Sequence, residues 1–211
     1  MQNAHIRQAD LFVPIDDPIL IIGAGGIGST TAMVLAKMGC NNMTVIDYDK
    51  VEEHNINSQL YGPDDRGFFK VNALKKNVEL LSGVDINVST DKITDSIPKG
   101  FRIVILAVDS VDSRKDIVRA VGKDFELLID GRMGGEVVDL YTFTPYTIDD
   151  FEKTLPTEEE ITYEICTGKA IAYNTFTIGS WIGNIVKRFT KGEKIERNIE
   201  FLFKELMIFK H

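Results

Sequence analysis

Six consecutive residues, Gly23-Ala24-Gly25-Gly26-Ile27-Gly28, set glycines at the spacing G-x-G-x-x-G, and Asp47 stands 19 positions past the last of them. Glycines at that spacing let a backbone approach a phosphate, and a helix starting there offers free N–H groups and a partial positive charge. A carboxylate ending the next strand can accept hydrogen bonds from ribose hydroxyls. That is nucleotide chemistry. It suits NAD as well as ATP, and a tight turn that binds nothing would use the same glycines.

The elements that must hold these residues follow from the hydrophobic pattern. Residues 18–22 (PILII) form an apolar run of strand length directly before the glycines. Residues 29–38 place apolar side chains on one helical face and stop at Gly39, and residues 43–47 (MTVID) read as a second strand. Strand, glycine turn, helix and strand make a βαβ unit with parallel strands. Further along, residues 69–81 repeat apolar side chains at helical spacing, and 85–88 form a short strand. Residues 101–108 (FRIVILAV) are the near-continuous apolar strand of a parallel sheet, 112–121 a helix and 126–130 another strand. The predicted fold class is α/β, a Rossmann-like, doubly wound, mainly parallel sheet. After Gly131 the pattern changes: residues 137–144 and 199–209 read as antiparallel additions. Between these lie a polar segment (145–164, with an acidic run at 157–160) and an apolar helix (170–189).

Bulk properties narrow the classes. The chain has 211 residues, 44% hydrophobic and 27% charged, enough to bury a real core in one domain. No apolar run has membrane-spanning length, and the opening residues lack the order of a secretion signal, so a cytoplasmic setting is expected. A net charge of −8 argues against a nucleic-acid binder. The two cysteines, Cys40 and Cys166, are far apart and form no CxxC pair, so neither a disulfide scaffold nor a zinc site is expected. Cys40, just past the helix-ending glycine, is expected to pack as a small hydrophobe. His5, His54 and His211 show no ligand spacing and are expected at the surface.

The string from Val45 to Gln59 (VIDYDKVEEHNINSQ) resembles the ThiF/MoeB/HesA family of ubiquitin-activating-like adenylyltransferases. In that family the second strand reads D-x-D-x-V and an N-L-x-R-Q element follows. Other likenesses come in the same order: Lys70 after Gly67 as in G-x-x-K, Asp109-Ser110 for an Asp-Asn pair, Arg114 for a helix arginine, and Arg132-Met133-Gly134-Gly135 for an R-M-E-G turn. Cys166, shortly before the apolar helix containing Gly179 and Gly183, matches a cysteine that some members use as a nucleophile. Arg7-Gln8 resembles an N-terminal R-Q whose arginine reaches the neighbouring subunit's ATP site. The likeness runs from about Arg7 to Lys187.

The resemblance implies one domain over residues 1–211, with 1–135 as nucleotide-binding core and 136–211 as an extension facing acceptor and dimer partner. It implies ATP and Mg²⁺, a homodimer, and as acceptor a ubiquitin-like or sulfur-carrier protein or a peptide with a flexible C-terminal tail. The tail carboxylate attacks the α-phosphorus and pyrophosphate leaves. A carboxylate is already nucleophilic at neutral pH, so positioning and charge neutralisation carry the reaction. The expected catalytic residues are Arg7, Lys70, Asp109 and Cys166. Arg7 and Lys70 bring charge to the triphosphate, Asp109 holds the metal, and Cys166 is a candidate for taking the acyl group as a thiolate. The expected nucleotide contacts are Gly23, Gly25, Gly26, Gly28, Asp47, Asp49, Asn55, Ser58, Lys70, Asp109 and Ser110.

Plainer readings stand beside these. A lysine on a polar helix face is usually solvated, Asp109 is well placed to cap the next helix, and Arg132 has turn carbonyls to satisfy. Two departures from the family pattern also count. Ser58 stands where N-L-x-R-Q has arginine, and the paired zinc-binding cysteines of many relatives are missing. The alternatives are a nicotinamide-dependent oxidoreductase, resting on the glycines and Asp47 alone, and a non-catalytic ATP-binding partner subunit, resting on Ser58.

Overall fold

The computed structural model describes residues 5–93, 97–156 and 170–211. Eight strands form one sheet: β1 (Ile19–Ile22), β2 (Met43–Ile46), β3 (Asn87–Ser89), β4 (Ile103–Leu106), β5 (Leu127–Gly134), β6 (Val137–Phe143), β7 (Asn198–Leu202) and β8 (Met207–Lys210). Among the described residues four helices accompany them: α1 (Gly26–Met38), α2 (Lys70–Ser82), α3 (Val111–Val121) and α4 (Ala172–Thr190). The spatial order is β3-β2-β1-β4-β5-β6-β7-β8. From β3 to β5 all pairings are parallel. From β5 to β8 they are antiparallel. The α/β class and the antiparallel C-terminal strands are therefore as the sequence predicts.

Alternation along the strands splits the core in two. Ile19 and Ile21 face the side covered by α1, α2 and α4, where Ile105, Ile129, Leu74 and Ile182 join them. Leu20 and Ile22 face the other side, with Val104, Leu106, Leu128, Ile117 and Phe151. Both faces are buried, which is why β1 and β4 read as unbroken apolar runs. Helix α4 lies directly on α1, and Thr30 donates its hydroxyl to the Thr175 carbonyl at 2.7 Å. A side chain at Gly179 would strike Thr30 at 2.6 Å, and one at Gly183 would strike Val34 at 2.8 Å. Among the described residues no helix is long and apolar enough to cross a membrane.

Two local expectations change. Residues 132–134 are not a turn: β5 runs on through Arg132 to Gly134, paired with Asp139 to Val137, and the reversal comes at Gly135 and Glu136. Asp109 is not the cap of α3. Ser110 is, its hydroxyl accepting the Ser113 N–H at 3.0 Å.

Candidate functional site

Strand order reverses at β1, which has β2 on one side and β4 on the other, and the crevice at such a switch point is where open α/β sheets take their ligands. The loops after β1, β2 and β4 carry the glycines, Asp47 and Asp109 to that place.

The four glycines do different jobs. Gly23 leaves β1 at φ +99°, and an added Cβ would run into the Ala107 carbonyl. A Cβ on Gly28 would collide with the Gly23 carbonyl, and one on Gly26 would meet Thr175 of α4 at 2.7 Å. Those three are required by packing. Gly25 is different: nothing lies within 4 Å of where its Cβ would be. It also occupies the N-cap of α1 with no side-chain cap bond, and the first-turn N–H groups of a helix are the ones left without partners inside it.

Asp47 grips this loop. One carboxylate oxygen accepts the Ala24 N–H at 2.6 Å and the other the Asp49 N–H at 2.7 Å. Each oxygen keeps a second lone pair for a ribose hydroxyl. A residue that sequence reasoning passes over, Tyr61, completes the grip: its buried hydroxyl donates to the Ala24 carbonyl at 2.5 Å. Burial, then the carboxylates of Asp47 and Asp65, push the Tyr61 hydroxyl far up, so it stays a donor. Only the fold brings Tyr61 and Ala24 together, and no local pattern announces the pair.

Lys70 opens α2 and is buried rather than solvated. Its ammonium meets Asp49 at 2.9 Å and its N–H donates to the Asp49 carbonyl at 2.8 Å. Asp47, Asp49, Lys70 and the glycine loop thus form one connected group. Asn55 and Ser58 are also buried. Asn55 accepts the Glu52 N–H at 2.8 Å, closing a 3-10 turn at Glu53–Asn55. Ser58 lies with its backbone against Gly26. The neighbouring Gln59 has a buried Oε1 with no hydrogen-bond partner among the described residues.

Asp109 is exposed at the tip of β4, and Ser110 is occupied by the helix cap. The loop carrying Asp109 is fixed from beneath by Arg114. Its guanidinium donates to the Val108 carbonyl, to the Gly131 carbonyl at 3.0 Å and to the fully buried Asp130. Burial lowers the Arg114 pKa, against the pull of Asp130, which favours the charged form. On its other side Asp130 holds Arg132 at 2.7 Å. Arg132 stacks over Tyr141 at 4.3 Å and donates to the carbonyl and hydroxyl of Thr154, so it satisfies a loop carbonyl and also anchors the 3-10 segment Ile148–Thr154. Asp130 is the second residue that sequence reading misses, because it reads as the last polar position of a strand.

One expected residue, Arg7, is not brought into the crevice of its own chain. Arg7 sits exposed in a 3-10 turn at Ile6–Gln8, which is tied by Gln8 to the Met38 carbonyl at 2.6 Å. That is the far end of α1, about 20 Å from its glycine start at ~1.5 Å per residue. Cys166 and the acidic run at 157–160 lie outside the described residues. Cys40 is fully buried, and burial followed by Asp17 pushes its thiol up to about 12, the packing role expected of it. Asp109 is a single exposed carboxylate, and among the described residues no three His, Cys, Asp or Glu side chains gather into a metal cluster. One oxygen ligand beside bound phosphates suits magnesium, which keeps several waters.

Comparison with known proteins adds to this geometry. Ubiquitin-like modifier-activating enzyme 5 of Drosophila simulans is 36% identical over 111 residues, 48% of this chain but only 28% of the length of that relative. The structure of E. coli MccB with ATP superposes with a TM-score of 0.76 at 17% identity, over 97% of this chain and 65% of MccB. MccB with MccA gives 0.78 at 17% identity, over 100% and 71%. At such identity these structures establish the shared fold. Residues 16–206 match the model of the ThiF family, and the protein belongs to that family.

Proposed function

We propose that the chain is an adenylyltransferase that uses ATP to activate the C-terminal carboxylate of a ubiquitin-like or sulfur-carrier protein, or of a peptide, in the cytoplasm. The observation that carries this reading is the joining of the glycine loop to Lys70 through Asp47 and Asp49. A dinucleotide site needs the glycines and Asp47 but has no work for a buried lysine beside them. The relatives agree in kind, one named as activating a ubiquitin-like modifier and one crystallised with ATP and with MccA.

In the reaction a tail carboxylate oxygen bonds to the α-phosphorus as the bond to the β-phosphate oxygen breaks, releasing pyrophosphate. The N–H groups at Gly25 and Gly26 receive phosphate oxygens, Asp47 holds the ribose, and Lys70 turns from Asp49 to the triphosphate. Asp109 is the residue that would hold a magnesium ion, which supplies charge neutralisation on phosphates. Arg7, far from its own crevice, serves the crevice of a second copy in a homodimer. Residues 1–135 bind nucleotide and 136–211 face the acceptor and the second copy, with Cys166 as the thiolate that displaces AMP to leave a thioester.

Pyrophosphate exchange into ATP with candidate carrier tails tests this. Exchange that depends on a free tail carboxylate is expected; none with any glycine-containing tail overturns it. Ser58 favours a second reading, a non-catalytic subunit that binds ATP. A large gain of exchange in Ser58→Arg supports that reading, and unchanged exchange removes it.

A further inference from the structure

We propose that Tyr61 is a positioning residue that aims the Gly25 N–H at a nucleotide phosphate, a role that stands on the nucleotide-binding reading of the same loop. Two peptide groups flank Ala24. The one on its N-terminal side is held through the Ala24 N–H by Asp47 at 2.6 Å. The one on its C-terminal side joins Ala24 to Gly25 and is held through the Ala24 carbonyl by the Tyr61 hydroxyl at 2.5 Å. A peptide is planar and trans, so its N–H points opposite to its carbonyl. Fixing the Ala24 oxygen toward the buried Tyr61 therefore turns the Gly25 N–H away from the core. Gly25 is also the glycine around which space is open, and it starts a helix whose end no side chain closes. With Asp47 alone, the second peptide keeps its own rotation and the N–H is not committed to one direction. With both, the donor is set before any ligand arrives, and no ordering is left to be done on binding.

Ala24 is fully buried and Tyr61 nearly so, which keeps water from replacing either bond. The hydroxyl also lies near two carboxylates, Asp47 and Asp65, whose field disfavours a phenolate. An aromatic ring of the same shape without the oxygen fills the same space and loses only the aim.

The test is titration of ATP, with magnesium chloride present, into the full chain by calorimetry, for wild type, Tyr61→Phe and the packing control Val78→Ala. Tyr61→Phe is expected to weaken ATP binding about five- to twenty-fold, a part of the worth of one hydrogen bond to a charged group, because the Gly25 N–H is misaimed rather than removed. In exchange assays the same variant raises KM for ATP with kcat within about two-fold, since the loss falls on binding. Val78→Ala lowers the melting temperature and leaves ATP affinity alone. Equal affinity in wild type and Tyr61→Phe overturns the proposal while the nucleotide reading stands; no ATP binding by wild type overturns both. Amide exchange on nucleotide-free wild type gives an independent check. The Ala24 amide, held by Asp47 rather than by Tyr61, is expected to be protected in wild type and to stay protected in Tyr61→Phe, and free exchange in wild type means that the loop is not set in advance.

Discussion

Arg114 and Asp130 form an ion pair almost wholly out of water, with side-chain exposures of 6% and 0%. Removing Arg114 strips the fully buried Asp130 of one partner while Arg132 stays beside it, so the loss falls toward the lower end of the about 3–5 kcal/mol that breaking a buried pair costs. Arg114→Ala is therefore expected to lower unfolding free energy by that amount in urea titration. It also releases the Val108 and Gly131 carbonyls at the tips of β4 and β5. A change under about 1 kcal/mol shows that the pair does not hold those tips.

The glycine loop separates packing from binding. Gly28→Ala drives a methyl into the Gly23 carbonyl and is expected to destabilise by about 3 kcal/mol or more. Gly25→Ala has open space at φ −74° and costs about 1 kcal/mol at an N-cap, yet its methyl stands where the proposed site would seat a phosphate. Thermal melts and ATP titrations on both variants check this. Gly25→Ala should melt near wild type and bind ATP poorly; near-wild-type binding shows that the ligand does not approach Gly25.

Lys70→Met keeps the apolar stem and removes the charge. Its partner Asp49 is about half exposed and stays hydrated when left unpaired, so stability should change by less than about 1 kcal/mol. Pyrophosphate exchange is expected to fall about 100-fold if the ammonium neutralises phosphate charge in the transition state. Full activity in a folded Lys70→Met protein returns the lysine to a structural part.

Asp65 gives a pH signature. Burial pushes its carboxyl up, but the Gly62 N–H at 2.8 Å, Lys76 and the Asn77 amide at 2.9 Å outweigh that and hold it below the usual carboxylate range. The folded protein thus releases this proton more readily than the unfolded chain. The stabilisation is complete above about pH 5 and is lost as pH falls through the lowered value. Urea midpoints at pH 7 and pH 3.5 should fall further for wild type than for Asp65→Asn. Parallel losses sink this assignment.

The βαβ unit and the parallel half of the sheet are legible because both core faces are buried, leaving plain apolar runs at residues 19–22 and 103–106. The true length of β5 is not, since two glycines and Arg132 among its last residues, Gly131 to Gly134, are too small or too polar to read as an apolar run. The residues proposed to meet the nucleotide follow patterns of local spacing, so Gly25, Asp47 and Lys70 can be named from sequence. The pairings that support them cannot: Tyr61 and Ala24 are 37 positions apart and Arg114 and Asp130 are 16 apart. A tyrosine among loop residues and an aspartate at a strand end look ordinary until the chain folds.

The seam between α1 and α4 limits how this scaffold can be re-engineered. Thr30 reaches for the Thr175 carbonyl, and Gly26 sits against the Thr175 methyl. Grafting a foreign recognition module in place of residues beyond β6 would succeed only if the new helix brought small residues matching Gly179 and Gly183. A bulkier replacement would lever α1 outward and tilt the loop at its head.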